Sequence, residues 1–150
     1  MHSADHPPAG RFDGPEHRFA LRVYFEDTDL TGVVYHANYL RYMERARSDM
    51  LERAGIDQRA AFEAGEGAYA IRDLRIRYRA SARLGEELTV VSRLVSMRPA
   101  SVHIQQRVMR GETILAEAEV EAAFVSPSGR PRRQPPGWVM AFEPLIWKES

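Results

Sequence analysis

The chain has 150 residues and no cysteine, and its 21 basic side chains balance 21 acidic ones. Without a thiol there is no disulfide, no iron–sulfur cluster, no cysteine nucleophile and no zinc site built on cysteine. Neutrality argues against a surface made for nucleic-acid backbone. Lys148 is the single lysine, which argues against Schiff-base and P-loop chemistry and leaves anions to arginine, helix N-termini and backbone N–H groups.

No apolar run approaches the ~18 residues a membrane-spanning helix needs. The N-terminus carries His, Asp and Pro where a signal peptide would be basic and then apolar, so a cytoplasmic location is expected. Residues 1–16 hold three prolines and two glycines and read as a disordered tail. A metal site from His2, Asp5 and His6 is conceivable there, but a floppy tail pre-positions no ligands.

From Phe19 to Phe25 apolar residues alternate with Ala20, Arg22 and Tyr24, the period of a half-buried strand. The polar run Glu26-Asp27-Thr28-Asp29, followed by Gly32, predicts a turn. Over Asn38–Ala54 the period changes to helical: Tyr39, Met43, Ala46, Met50 and Ala54 share one face, with Leu40 and Leu51 widening it and Gly55 in the C′ role. A weaker helical piece spans Gln58–Ala64. Four strands follow: Leu74–Arg79, Glu87–Val95, Val102–Met109 and Ala116–Phe124, separated by turn signals such as Arg98-Pro99 and Arg110-Gly111. One sheet and one amphipathic helix cover each other's apolar faces, an α+β arrangement. Residues 136–150, with Pro136 and Pro144, read as a loose C-terminal tail.

Several chemistries find no support. There is no Gly-x-Ser-x-Gly elbow, Walker loop or His-Glu-x-x-His. Gly65-Glu66-Gly67-Ala68-Tyr69-Ala70 formally matches a dinucleotide fingerprint, but it leads into a strand instead of a helix. The dense segment is Glu26–Tyr39, with three carboxylates, His36, Gly32 and Asn38 between strand and helix. A helix N-terminus offers unpaired N–H groups and a positive dipole end, and a carboxylate beside such donors suits acyl transfer. The same residues also suit a plain loop, with Asp27 and Asp29 forming turns, Asn38 as N-cap and His36 as a loop histidine.

The run Val23-Tyr24-Phe25-Glu26-Asp27-Thr28-Asp29-Leu30-Thr31-Gly32-Val33-Val34-Tyr35-His36-Ala37-Asn38-Tyr39-Leu40-Arg41-Tyr42-Met43-Glu44-Arg45-Ala46-Arg47 closely resembles the signature of hotdog-fold acyl-CoA thioesterases. It is most similar to the 4-hydroxybenzoyl-CoA thioesterase class, in its Tol–Pal-associated, YbgC-like branch. The resemblance extends over about residues 17–135 and implies a five-stranded antiparallel sheet wrapped around one long central helix, assembling as a homodimer or homotetramer. It implies Asp29 as the active carboxylate, with His36 at the mouth of the helix and its N–H aimed at the thioester carbonyl. Gly32, Val33, Val34 and Tyr35 would line the substrate, and Arg98 and Ser101 would meet the nucleotide phosphates, though Pro99 and Ala100 make that turn less basic than in relatives. Arg75, Arg77 and Arg83 are further candidates for the phosphates.

The expected function is hydrolysis of an acyl-CoA to free acid and thiol, with Asp29 as nucleophile or general base. No metal or cofactor is expected, since coenzyme A enters as part of the substrate. Acyl carrier protein is an alternative carrier of the acyl group. A non-catalytic hotdog module that binds acyl-CoA as a sensor is the alternative function, and a hotdog dehydratase is a third reading. Glu44 is a tempting second carboxylate, but Arg41 and Arg47 flank it three residues either side, as in a surface ion network. His103 reads as a structural strand histidine.

Overall fold

A computed structural model describes residues 5–149. His2 of the conceivable metal site, and the outermost residues of both expected tails, lie outside the described residues. The chain folds as β1 (Arg11–Asp13), β2 (Glu16–Arg22), α1 (Ala37–Arg53), α2 (Gln58–Glu63), β3 (Ala68–Tyr78), β4 (Glu87–Arg98), β5 (Ser101–Arg110), β6 (Thr113–Val125) and α3 (Pro136–Phe142). The strands form one six-stranded sheet in the order β1-β2-β4-β5-β6-β3, antiparallel throughout.

The alternation seen in the sequence is the alternation of burial. Leu88, Val90 and Leu94 of β4, Val102, Ile104 and Val108 of β5, and Ala116, Ala118, Val120 and Ala122 of β6 face inward. Against that face α1 lays Tyr39, Tyr42, Met43, Ala46 and Met50, all buried. Each large side chain so buried contributes on the order of 1.5–3 kcal/mol. Leu40 is only half-buried, and Tyr42, outside the expected stripe, takes a place in the core. The helix ends as expected: Gly55 has φ +84°, its N–H donates to the Glu52 carbonyl at 3.0 Å, and the Ile56 N–H reaches the Leu51 carbonyl at 2.9 Å. These are the paired bonds of a Schellman motif.

Three expectations need correction. The sheet has six strands, not five, because residues 11–13 fold back on β2 with Arg11 opposite Arg18 and Asp13 opposite Glu16. The Phe12 ring meets the buried His17 ring edge-on at 5.3 Å. The disordered tail expected over residues 1–16 is therefore strand from Arg11. The C-terminal segment is likewise docked. Phe142 of α3 is buried, the Trp147 N–H donates to the Leu94 carbonyl at 2.7 Å, and the Arg93 guanidinium sits 3.8 Å over the Trp147 ring. Apolar anchors near the end of the chain outweigh its prolines, and Pro136 occupies the first helical turn, where a missing N–H costs nothing.

Strand β3 begins six residues before the alternation in the sequence does. A bulge between Ile71 and Asp73 shifts its phase and hides its first half. Among the described residues no helix is long and apolar enough to cross a membrane.

Candidate active site

Chain leaving β2 is fastened to the turn before β4: the Val23 N–H donates to the Glu86 carbonyl and the Gly85 N–H to the Val23 carbonyl, both at 2.9 Å. A single 3-10 turn over Phe25–Asp27 then reverses direction, closed by the Asp27 carboxylate, which accepts the Tyr24 N–H at 2.9 Å. Asp27 also ties the loop to the helix. Its carbonyl accepts the Tyr35 N–H and the Asn38 side-chain amide, each at 2.9 Å. Asp27 is thus a structural tie. Asn38 is not the N-cap; that position belongs to His36.

Between these ties the loop forms a short two-stranded arm, with Thr28 opposite Val34. At its tip the Asp29 N–H donates to the Val33 carbonyl at 2.9 Å and the Asp29 carbonyl accepts the Gly32 N–H at 3.0 Å. Gly32 turns the chain with φ +81°, a conformation side chains disfavour. Asp29 Oδ1 accepts the Thr31 N–H at 2.8 Å and the Thr31 hydroxyl at 2.6 Å. Oδ2 has no partner among the described residues. The Thr31 hydroxyl, then the Thr31 N–H, hold the Asp29 carboxyl below the usual carboxylate range, so it is an anion at neutral pH.

The arm leads into α1 through Val33, Val34, Tyr35 and His36. Val34 is buried beside Val23, Tyr39 and Ala82, and its N–H donates to the Ala82 carbonyl at 2.8 Å. Its side chain is therefore a core contact, whereas Val33 is half-buried and Gly32 and Tyr35 are exposed. The His36 carbonyl accepts the Tyr78 hydroxyl at 3.0 Å, and its ring lies between those of Tyr35 (4.4 Å) and Tyr78 (6.0 Å). The Tyr39 hydroxyl accepts the Ala82 N–H at 2.9 Å, anchoring the first helical turn to the loop before β4. Among the described residues no acceptor meets the N–H of His36 or of Ala37. The site thus offers a carboxylate with one oxygen disengaged and, three residues along the arm from the level of Asp29, a helix N-terminus with open donors.

Asp29 is exposed in the single chain, as are Tyr24, Phe25, Leu30 and Tyr35 of the same loop segment. Arg98 and Ser101 are elsewhere. They flank the β4–β5 turn, eleven residues or about 36 Å along β4 from the end where Glu87 meets Arg22. Arg98 is exposed, Ser101 is buried, and both carbonyls accept from the Gln134 amide. Of the other arginines considered, Arg83 pairs with Val33 beside the arm. His103 lies on β5, 3.5 Å from the Ser96 hydroxyl and 3.8 Å from the Glu121 carboxylate. Tyr78 escapes sequence reasoning altogether, since it stands 42 residues from its partner. Among the described residues no three His, Asp or Glu side chains converge as metal ligands would.

An antiparallel sheet packed on one long helix is the arrangement that the resemblance to hotdog thioesterases implies. Comparison with known proteins agrees. The family model of the thioesterase-like superfamily matches residues 23–142. The acyl-CoA thioester hydrolase YbgC of Escherichia coli is 41% identical over 128 residues, covering 84% of this chain and 95% of that protein. The acyl-CoA thioesterase YbgC of Haemophilus influenzae is 38% identical over 107 residues, 71% of this chain and 79% of that one. The crystal structure of a probable thioesterase from Bartonella henselae superposes with a TM-score of 0.76 at 35% identity, covering 80% of this chain and 99% of the other. The chain belongs to the thioesterase-like superfamily and is a thioester hydrolase.

Proposed function

We propose that this acyl-CoA thioester hydrolase works through Asp29 and the N-terminus of α1. The thioester carbonyl oxygen accepts from the His36 N–H, and the positive end of the helix makes the carbon more electrophilic. Asp29 then acts in one of two ways. As nucleophile, Oδ2 bonds to the carbonyl carbon, the C–S bond breaks and the thiolate leaves with a proton from solvent; water then cleaves the mixed anhydride and restores the carboxylate. As general base, Asp29 takes a proton from the attacking water and the thiolate later recovers it. Neither route calls for a metal or a resident cofactor; coenzyme A, or acyl carrier protein in its place, arrives with the acyl group. The carrying observation is the Thr31-held anion of Asp29 with Oδ2 disengaged, on the same arm as the open His36 N–H.

The enzyme works as a cytoplasmic homo-oligomer, dimer or tetramer. Exposed Phe25 and Leu30 beside Asp29, and the unpaired edge of β3 with exposed Ile71, favour cover by a second copy. With Arg98 and Ser101 at the far end of β4, their role at the coenzyme A phosphates requires a turn donated by another copy, while Arg83 is available beside the arm of the same chain.

A thiol-release assay across short, long and aryl acyl-CoA substrates tests the reading. Asp29→Ala is expected to lower kcat by about a hundredfold or more. An unchanged kcat in that variant overturns it.

A further inference from the structure

The loop joining β4 to β5 is two residues, Pro99 and Ala100, with Arg98 opposite Ser101. Neither has a positive φ, whereas the two-residue turns whose twist matches a hairpin, types I′ and II′, require one. A bulge between Leu94 and Ser96 further disturbs the strand that leads into the turn. Its shape therefore depends on ties from outside the hairpin.

Most of those ties come from one residue. After β6 the chain doubles back, with Pro131 opposite Val125 and the Arg132 N–H donating to the Phe124 carbonyl at 2.9 Å, and this brings Gln134 to the turn. Gln134 is 3% exposed. Its side-chain amide donates to the Arg98 carbonyl at 2.7 Å and to the Ser101 carbonyl at 3.3 Å, and its backbone N–H donates to the Pro99 carbonyl at 2.8 Å. The remaining carbonyl, that of Ala100, accepts the Phe124 N–H at 2.8 Å. The amide oxygen of Gln134 accepts from the Tyr69 hydroxyl, and the Tyr69 ring packs against Phe124 and Trp138 at 5.5 and 5.6 Å between centroids. With its oxygen held there, the amide must turn its N–H groups toward the hairpin.

Arg98 is an available cation on this turn. It is exposed, and no carboxylate among the described residues forms an ion pair with it. Glu121, whose charge it feels, is engaged by Arg72 through hydrogen bonds of 3.1 and 2.6 Å. Arg93, earlier on the same strand, is by contrast paired with Glu16 at 2.8 Å.

We propose, building on the role given to Arg98 at the coenzyme A phosphates, that Gln134 is a positioning residue for that recognition. It clasps the backbone of the turn, so that the Arg98 guanidinium meets the phosphates from a fixed stem and loses less freedom on binding than it would from a loose one. The clasp acts on substrate affinity and not on the chemical step, because its partners are the turn and Tyr69 and include neither Asp29 nor His36.

The test compares an acyl-CoA with the N-acetylcysteamine thioester of the same acid, which lacks the phosphates. Arg98→Ala is expected to raise KM for the acyl-CoA about tenfold at constant kcat, as loss of one charge-assisted hydrogen bond does. Gln134→Met, similar in size but without the amide, should raise it about three- to tenfold, again at constant kcat. Gln134→Asn keeps the amide but is one methylene too short to join Tyr69 to the turn, and should act in the same direction. The rise should be confined to the substrate that carries phosphates, and turnover of the other thioester shows that each variant is folded. Because Gln134 acts through Arg98, the double variant should raise KM no further than Arg98→Ala alone. An unchanged KM in Arg98→Ala would remove the phosphate role and the clasp with it. A raised KM in Arg98→Ala with both Gln134 variants unaffected, additive effects in the double variant, or equal losses on the two thioesters would overturn the clasp and leave the phosphate role standing.

Discussion

The Tyr78 hydroxyl donates to the His36 carbonyl at 3.0 Å, so the last residue of edge strand β3 grips the peptide at which the loop becomes helix. That bond holds the first helical turn in place, and with it the N–H groups proposed to receive the thioester oxygen. In Tyr78→Phe the ring stays and the bond goes. A neutral hydrogen bond is worth about 1 kcal/mol, so kcat is expected to fall about three- to tenfold with little change in KM. Steady-state kinetics decide this; a rise in KM at constant kcat would assign Tyr78 to substrate binding instead.

Thr31 controls the charge of Asp29. Its hydroxyl and N–H both donate to Oδ1, and they favour the anion. A carboxyl held below its usual range stays ionised into acid solution, so the acid limb of kcat/KM is expected below the ordinary carboxylate pKa of about 4. Thr31→Val keeps the β-branched shape and the N–H but removes the hydroxyl. The acid limb should then move to higher pH, toward the usual carboxylate value. A pH profile that does not move would show that another group governs the limb.

Much of this architecture is legible in the sequence because long elements repeat their signal. The seventeen residues of α1 show the helical period over and over, and Gly55 marks its end. Strands β4, β5 and β6 alternate over ten residues or more. Strand β1 has three residues and no room for a period. The first half of β3 is masked by a bulge, and the docking of α3 depends on Phe142 finding a place in the core. At the site, the local part was readable: Asp29, Gly32 and His36 lie within eight residues of one another. The grip of Tyr78 on His36 and the ties of Val34 and Tyr39 to Ala82 span more than forty residues, and such pairings come from tertiary topology alone. The same holds for Arg98 and Ser101, whose distance from the Asp29 arm is set by the length of β4.

The Schellman end of α1 makes a separate stability prediction. With φ +84°, Gly55 holds a conformation that costs other residues about 1 kcal/mol or more. Gly55→Ala is expected to lower unfolding free energy by about that amount, and Gly55→Asn by less, because asparagine tolerates the left-handed region. Urea denaturation of the three proteins measures the order, and Ala equal to Gly would contradict it.

His17 couples stability to pH. It is fully buried, its Nε2 lies 2.7 Å from Asp49 Oδ2, and its Nδ1 has no partner among the described residues. Burial lowers its pKa, and the hydrogen bond and charge of Asp49 only partly oppose the shift. The folded chain therefore takes up this proton less readily than the unfolded chain, whose His17 titrates near 6.5. The stabilising effect is complete above that value and is lost as pH falls below it, because only the unfolded state gains the proton. Melting temperature is expected to drop between pH 7 and pH 5. His17→Gln should start from a lower melting temperature and fall less steeply over the same interval. Parallel pH slopes in the two proteins would remove His17 as the responsible group.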